Sequence, residues 1–165
     1  MTTVFRRARS IPGVAAAFLT ERQRIAAAVP TAEVVHTGAT SIGSLLTRGD
    51  LDIHVRVPSA CFAAAAAALG HVYLPYRPEM WTVGFAAYTR ALGTLPIGVA
   101  LTSIGGEHDR RFKTAWDRLA TDEALIDEYN ALKLRHAGGD ETEYEAEKAA
   151  FFTRVAEETR LDGSD

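Results

Sequence analysis

The chain of 165 residues reads as an α+β protein: a mixed β-sheet flanked by helices and closed by a C-terminal helical cap. Three observations predict this. Leu51, Ile53, Val55 and Val57 alternate with Asp52, His54 and Arg56, the period-two pattern of a strand with two different faces. Alanine-rich stretches stand before and after that strand, one closed by Pro30 and the other by Gly70, as helices packed on a sheet are closed. From Glu107 onward the apolar residues fall at helical spacing instead, without any Pro- or Ser-rich linker to set that part adrift. One domain is expected over 1–165, with an α/β core in 1–105 and a helical subdomain in 106–160.

In order along the chain, Gly13 to Val29 is rich in Ala, Leu, Gln, Arg and Glu and forms the first helix, because Pro30 cannot continue it. Glu33 to Thr37 brings Val34 and Val35 into a glycine turn as a short first strand. Thr40 or Ser41 is placed to cap a brief helix through Leu46. The Asp50 to Val57 strand follows Gly49. Ser59 is placed to cap the alanine helix ending at Gly70, and strands are expected in His71 to Leu74, Trp81 to Thr89 and Leu95 to Thr102. Phe112, Ala115, Trp116 and Leu119 mark one amphipathic helix, and Leu125, Ile126, Tyr129, Leu132 and Lys133 mark the next. Gly138 and Gly139 break the pattern before a last helix carrying Tyr144, Phe151, Phe152 and Val155. A polar tail, 162–165, ends the chain.

Composition narrows the function classes. A hydrophobic fraction of 47% with 24% charged residues excludes a disordered chain. The net charge of -3 argues against broad electrostatic capture of nucleic acid, leaving a nucleotide as the better-matched partner. The single cysteine, Cys61, has no internal disulfide partner and reads as a small packing residue. Val14 to Leu19 is too short and too soon followed by charge for a signal peptide, and no apolar run is long enough to span a bilayer. A cytoplasmic protein without membrane contact is expected. Zinc spacings, the dinucleotide glycine pattern, the phosphate-loop pattern and Gly-x-Ser-x-Gly are all absent.

The chemistry concentrates between His36 and Val57. Asp50 and Asp52, one residue apart on a strand, share a face opposite Leu51 and Ile53. Paired carboxylates suit Mg²⁺ or Mn²⁺, which takes one or two of them and completes its shell with substrate phosphates. The turn Gly38-Ala39-Thr40-Ser41 precedes them, and its small residues let backbone N–H groups approach phosphate oxygens. In a plain structural alternative, Asp50 ends the strand and Asp52 pairs with Arg48 or Arg56. His36, directly before the turn, either contacts phosphate or holds the turn. Tyr129 with Lys133, and Tyr144 with Lys148, lie one helical turn apart and suit base stacking with phosphate neutralisation, or else ordinary packing. His108, Arg110 and Arg111 put positive charge at the start of a helix, where it is unfavourable unless an anion is near.

The run HTGATSIGSLLTRGDLDIHVRV, 36–57, resembles the signature of the GrpB-like family of the nucleotidyltransferase superfamily, in which H-x-G-S-T-S-[VI]-x-G-L precedes K-P-x-[ILV]-D-[ILV]. Tyr129-Asn130-Ala131-Leu132-Lys133, then Tyr144, Lys148 and Phe151, resembles that family's Y-x-x-L-K and Y-x-x-x-K-x-x-F pattern. The resemblance covers about 29–155 and implies a nucleotidyltransferase-like sheet. It further implies a metal-dependent enzyme that moves a nucleotidyl group from a nucleoside triphosphate to a small acceptor. Asp50 and Asp52 would be the catalytic and metal residues, with His36, Gly38, Thr40, Ser41, Tyr129, Lys133, Tyr144 and Lys148 on the nucleotide.

Three departures qualify the match. Ala39 replaces a turn serine, and Arg48-Gly49 replaces Lys-Pro. The strand Leu95 to Leu101 carries no acid or histidine where active members of the superfamily place a third carboxylate. Glu79, Glu107 or His54 would have to supply it, and the position of the missing acid is expected at Ile97 or Val99, whichever faces the aspartates. Without it, the alternatives are an inactive nucleotide-binding or interaction module on the same fold, or a biosynthetic enzyme using the site for nucleotide-driven condensation.

Overall fold

The computed structural model describes residues 5–162. The end of the polar tail, 163–165, lies outside the described residues. Two short strands, β1 (Arg6–Arg7) and β3 (Leu46–Thr47), pair antiparallel in a small ribbon. The main sheet contains β2 (Glu33–Thr37), β4 (Leu51–Val57), β5 (Leu74–Pro75), β6 (Phe85–Leu92) and β7 (Leu95–Ser103) in the order β2-β4-β7-β6-β5. Only β4 and β7 run parallel, so the sheet is mixed.

Strand alternation decides what each face meets. Leu51, Ile53, Val55 and Val57 of β4, with Ile97, Val99 and Leu101 of β7, are fully or almost fully buried against α1 (Val14–Ala28) and α2 (Phe62–Gly70). The opposite face carries Asp52, His54 and Arg56. It is covered by α3 (Glu107–Thr121), α4 (Glu123–Arg135) and α5 (Glu141–Asp162), which share a second apolar cluster around Leu119, Tyr129, Phe151 and Val155. Burial of these two faces drives assembly, since apolar area removed from water is the main favourable contribution to folding.

Where the chain departs from the sequence expectation, side chains or glycines redirect it. No helix runs to Leu46. A single 3-10 turn, Ala39–Ser41, is closed by the Ser41 hydroxyl donating to the Gly38 carbonyl (2.7 Å), after which Leu45 plunges into the second cluster and Leu46 starts β3. Ser59 opens a 3-10 turn, Ser59–Cys61, and its side chain makes no cap at α2. The strand expected from His71 starts only at Leu74, because the Val72 and Tyr73 amides both still donate to the Leu69 carbonyl of α2 and Tyr73 is pinned by its hydroxyl to Glu21. The strand expected from Trp81 starts at Phe85, after the Pro78–Met80 turn. Glu33 to Thr37 is the second strand rather than the first.

One buried ion cluster ties α3 to the sheet. Arg56 donates to Asp109 through Nε (2.6 Å) and Nη2 (2.9 Å), and the Gly105 amide and the Thr102 hydroxyl donate to the same carboxylate. Burial pushes the Asp109 carboxyl up, but those hydrogen bonds outweigh it and hold the group down to about 2. Of the basic residues that open α3, Arg110 donates to the Gly105 carbonyl, Arg111 to the Thr153 hydroxyl, and His108 stacks on Phe85. His54, 4% exposed, donates through Nε2 to Thr102 (2.8 Å), since that hydroxyl spends its proton on Asp109. Burial lowers its pKa to about 4, so it stays neutral.

Candidate active site

Asp52 lies near the start of β4 with Gly98 of β7 directly opposite and Thr37 of β2 on the other side. Its carboxylate sits in a cradle made by two glycines. A Cβ at Gly38, whose φ is +73°, would come within 2.2 Å of Oδ2, and one at Gly98 would lie 3.0 Å from Oδ1. At 38 the positive φ and that contact leave room for glycine alone, which is the physical content of the small-residue turn, whereas a side chain at 98 would only crowd Oδ1. Asp50 stands just before the strand, exposed, with its carbonyl held by the Thr40 hydroxyl (3.0 Å).

Asp50 perturbs Asp52. Burial, then the charge of Asp50, pushes Asp52 up to about 6, and burial also raises Asp50. Neither acid has a salt-bridge partner among the described residues. Arg48 is bound to Glu141 (2.8 and 2.9 Å) and Arg56 to Asp109 and Glu33, so the plain structural pairing of Asp52 does not occur.

Two adjoining cavities meet at Asp52. The first, about 550 Å³, is polar and brings together Asp50, Asp52, Arg48, Lys133, Tyr144 and Lys148. The second, about 450 Å³, is walled mostly by apolar side chains and also contains Gly38, Glu145 and Lys148. Glu145 and Lys148 lie on the α5 side of both, linked to each other at 3.4 Å.

The remaining sequence-predicted residues divide sharply. Gly38, Tyr129, Lys133, Tyr144 and Lys148 line one or other cavity, whereas His36, Thr40 and Ser41 do not. His36 projects from the opposite face of the sheet and stacks on Phe18 at 5.1 Å. Its Nε2 donates to Thr40 (3.0 Å), whose own proton goes to the Asp50 carbonyl, so the pair fixes the backbone under the carboxylates without touching the cavity. The Ser41 hydroxyl is spent on Gly38.

Tyr129 is stacked on Phe151 (5.1 Å, 12°) and 2% exposed, which leaves no open ring face for a base. Lys133, also 2% exposed, lies 4.0 Å from the centre of that ring and donates to the Leu46 carbonyl. Burial, then the charge of Lys148, lowers it to about 7. Lys148, Arg48 and Arg77 line the first cavity and are all more open to solvent than Lys133.

Some contributors were not visible in the sequence. Asn130 accepts from the Leu46 amide (2.7 Å) and donates to the Ser44 carbonyl (3.2 Å), clamping the loop before Asp50 onto α4. Arg48 lies over Phe5 (5.5 Å) and Tyr144 (5.1 Å) while gripping Glu141, which holds α5 beside the carboxylates. The third-carboxylate position falls on Gly98, since Ile97 and Val99 point into the core on the other face. Glu79, Glu107 and His54 line neither cavity, so none of them replaces the missing acid. The alternating pattern of β7 was the available signal for this, because it already put 98 on the face opposite 97 and 99.

A family model described as GrpB protein matches residues 9–158. The chain belongs to the GrpB family. A UPF0157 protein of Vibrio cholerae serotype O1 is 30% identical over 141 residues, covering 79% of this chain and 69% of the relative. The crystal structure of conserved protein GrpB from Enterococcus faecalis superposes with a TM-score of 0.71 at 17% identity, covering 96% of each chain. A structure of the GLD-2/RNP-8 complex superposes with a TM-score of 0.52 at 12% identity, over 87% of this chain and 57% of that one. At such identities the likeness is one of fold, and the fold of this GrpB protein is of the nucleotidyltransferase type that its motif implied. No helix among its described residues is long and apolar enough to cross a membrane.

Proposed function

We propose that this GrpB protein is a metal-dependent nucleotidyltransferase that passes a nucleotidyl group from a nucleoside triphosphate to a small acceptor. The observation that carries the reading is the Asp52 carboxylate, without a salt bridge among the described residues, cradled between Gly38 and Gly98 and raised to about 6 beside a second acid. Two carboxylates facing a polar cavity suit one hard divalent ion, Mg²⁺ or Mn²⁺, whose remaining ligands are phosphate oxygens and water. No group of three or more acid, His or Cys ligands gathers among the described residues, so the fit is to one ion on Asp50 and Asp52.

When bound there, such an ion would neutralise phosphate charge and orient the α-phosphate. The chain's own residues do the rest. Lys148 and Arg48 offset the remaining triphosphate charge from the α5 side of the cavity, and the buried Lys133 adds to that field. Gly38 lets the triphosphate approach the backbone of the turn, which Ser41 and Thr40 hold rigid. An acceptor hydroxyl or amine attacks the α-phosphorus, the bond to the β-phosphate oxygen breaks, pyrophosphate leaves and the acceptor's proton passes to water. Placing the acceptor at the end of the cavity next to Asp52 converts the attack into a near-unimolecular step.

Calorimetric titration with ATP, CTP, GTP and UTP, with and without Mg²⁺, tests the reading. Metal-dependent binding of at least one nucleotide, lost in Asp52→Asn, is expected, and absence of binding to all four would overturn it. A second reading has one specific observation behind it. Gly98 stands where a third carboxylate would complete two-metal chemistry, which favours a module that binds nucleotide without turnover. Binding without pyrophosphate release across a broad acceptor panel would select that reading.

A further inference from the structure

The cavity beyond Asp52 is built differently from the phosphate side. Its floor is the β6–β7 face, where Ala87 pairs with Ala100 and Thr89 with Gly98. Small residues stand there although a helical layer lies above, where packing at interior density would call for large ones. Its roof is aromatic, with Phe112 and Trp116 from α3 and Phe152 from α5. These rings brace one another, Trp116 and Phe152 at 5.0 Å and Phe112 against Phe85 at 6.5 Å. The result is a slot of about 450 Å³ between a flat floor and aromatic faces, a shape that fits a planar ring.

Two further features define what the ring must carry. Because position 98 is glycine, the slot opens directly onto Asp52, and a side chain there would stand at the junction of the two cavities. The missing third carboxylate and the open passage are thus one feature. Arg111 also lines the slot and makes one hydrogen bond, to the Thr153 hydroxyl (2.7 Å), leaving other guanidinium donors for an anion.

We propose that this slot binds the acceptor of the transfer, and that the acceptor is a small aromatic acid. Its ring lies between Ala100 and the Phe112–Trp116–Phe152 roof, its carboxylate meets Arg111, and its hydroxyl or amine reaches toward Asp52. The proposal rests on the nucleotidyltransfer reading for the meaning of acceptor, while its binding chemistry is independent of it. The hydroxyl or amine is what attacks the α-phosphorus, so the product is the nucleotidyl ester or amide of the ring substituent and the other product is pyrophosphate.

The test is calorimetric titration of the whole chain with para-hydroxyphenylacetate, with para-cresol as the uncharged ring and hexanoate as the acid without a ring. The aromatic acid is expected to bind more tightly than either and to remain bound in saturating Mg²⁺ and ATP. Ala100→Leu, which fills the slot, is expected to abolish its binding, with a thermal melt confirming that the variant folds. Arg111→Gln, a change at an exposed position, is expected to weaken the acid about tenfold and leave para-cresol unchanged, as loss of a charge-assisted hydrogen bond requires. Asp52→Asn should lose metal-dependent nucleotide binding and keep the aromatic acid, which separates the two readings. Failure of the acid to bind wild-type protein, or equal loss of acid and cresol in Arg111→Gln, would overturn the proposal. Displacement of the acid by Mg²⁺ and ATP would assign the slot to the nucleobase, overturning the acceptor assignment while the nucleotide reading stands.

Discussion

Replacing Asp52 by Asn should stabilise the folded protein at the expense of its metal site. In the fold the Asp52 carboxyl is pushed up to about 6 by burial and by Asp50, from an ordinary value of 3.8. A carboxyl raised in this way favours the folded state while it is protonated. That stability is fully present below about 3.8 and is lost as pH rises through about 6. The gap corresponds to about 3 kcal/mol, an upper bound because a charged group at a cavity wall is partly relieved by water. Asn keeps the shape and removes the charge. Urea unfolding in the presence of chelator should therefore show Asp52→Asn more stable than wild type by about 2 to 3 kcal/mol at pH 8 and equal to it near pH 4. Added Mg²⁺ should raise the wild-type midpoint at pH 8 and leave the variant's unchanged, since an ion that binds only the folded state stabilises it. An Asn variant no more stable than wild type at pH 8 would refute the argument, because Asp52 would then not be a charge held against its preference.

Four other outcomes follow from the geometry. Gly38→Ala should lower stability by about 1 to 3 kcal/mol through its positive φ and the 2.2 Å clash with Asp52, and should remove Mg²⁺-dependent stabilisation, both read by urea unfolding. Asp109→Asn should cost about 3 kcal/mol at pH 7, since it leaves the largely buried Arg56 with only the half-exposed Glu33 to offset its charge. The contribution of Asp109 in wild type, whose carboxyl is held down to about 2, should be present above about 3.8 and fade as pH falls through about 2, visible as a loss of the variant's deficit on acid titration. Asn130→Ala should cost about 1 to 3 kcal/mol by removing the side-chain acceptor of the Leu46 amide, the Ser44 carbonyl keeping its bond from Arg7, and slowed hydrogen exchange of the Leu46 amide in wild type should vanish in the variant. Gly98→Asp should tighten Mg²⁺ binding, by adding an acid beside Asp52, while excluding aromatic ligands from the second cavity, both measured by calorimetry.

Much of the core was legible because it depends on local rules. Alternation around Asp52, prolines and glycines that stop helices, and the change of period at Glu107 assigned every long element within a few residues of its observed bounds. The short connections were less so. The turn after Gly38 is set by a hydroxyl bond three residues back and the late start of β6 by the Pro78–Met80 turn, local devices that strand alternation and helix stops do not encode. The paired acids and the glycine turn stood out in the sequence, and holding the turn was one of the two roles read for His36, whereas the bonds that the Thr40 and Ser41 hydroxyls make were not foreseen. The register of β2 on β4 sends His36 to the other face, and both hydroxyls bond within the turn.

By itself the sequence determined the face-sharing of Asp50 and Asp52, the glycine beside them, the GrpB motif and the helical character of the last third. Only the tertiary structure decided that Gly98 stands opposite Asp52, that Lys133 and Tyr129 are buried supports, and that Asp109 of α3 is the partner of Arg56. It also decided that small residues of β6 and β7 lie under the aromatic side chains of α3 and α5 to leave a slot. The physical reason is range. Strand period and helix stops act over a few neighbouring residues, whereas a charge partner, a cavity wall or a missing ligand is defined by which distant segment packs across the sheet.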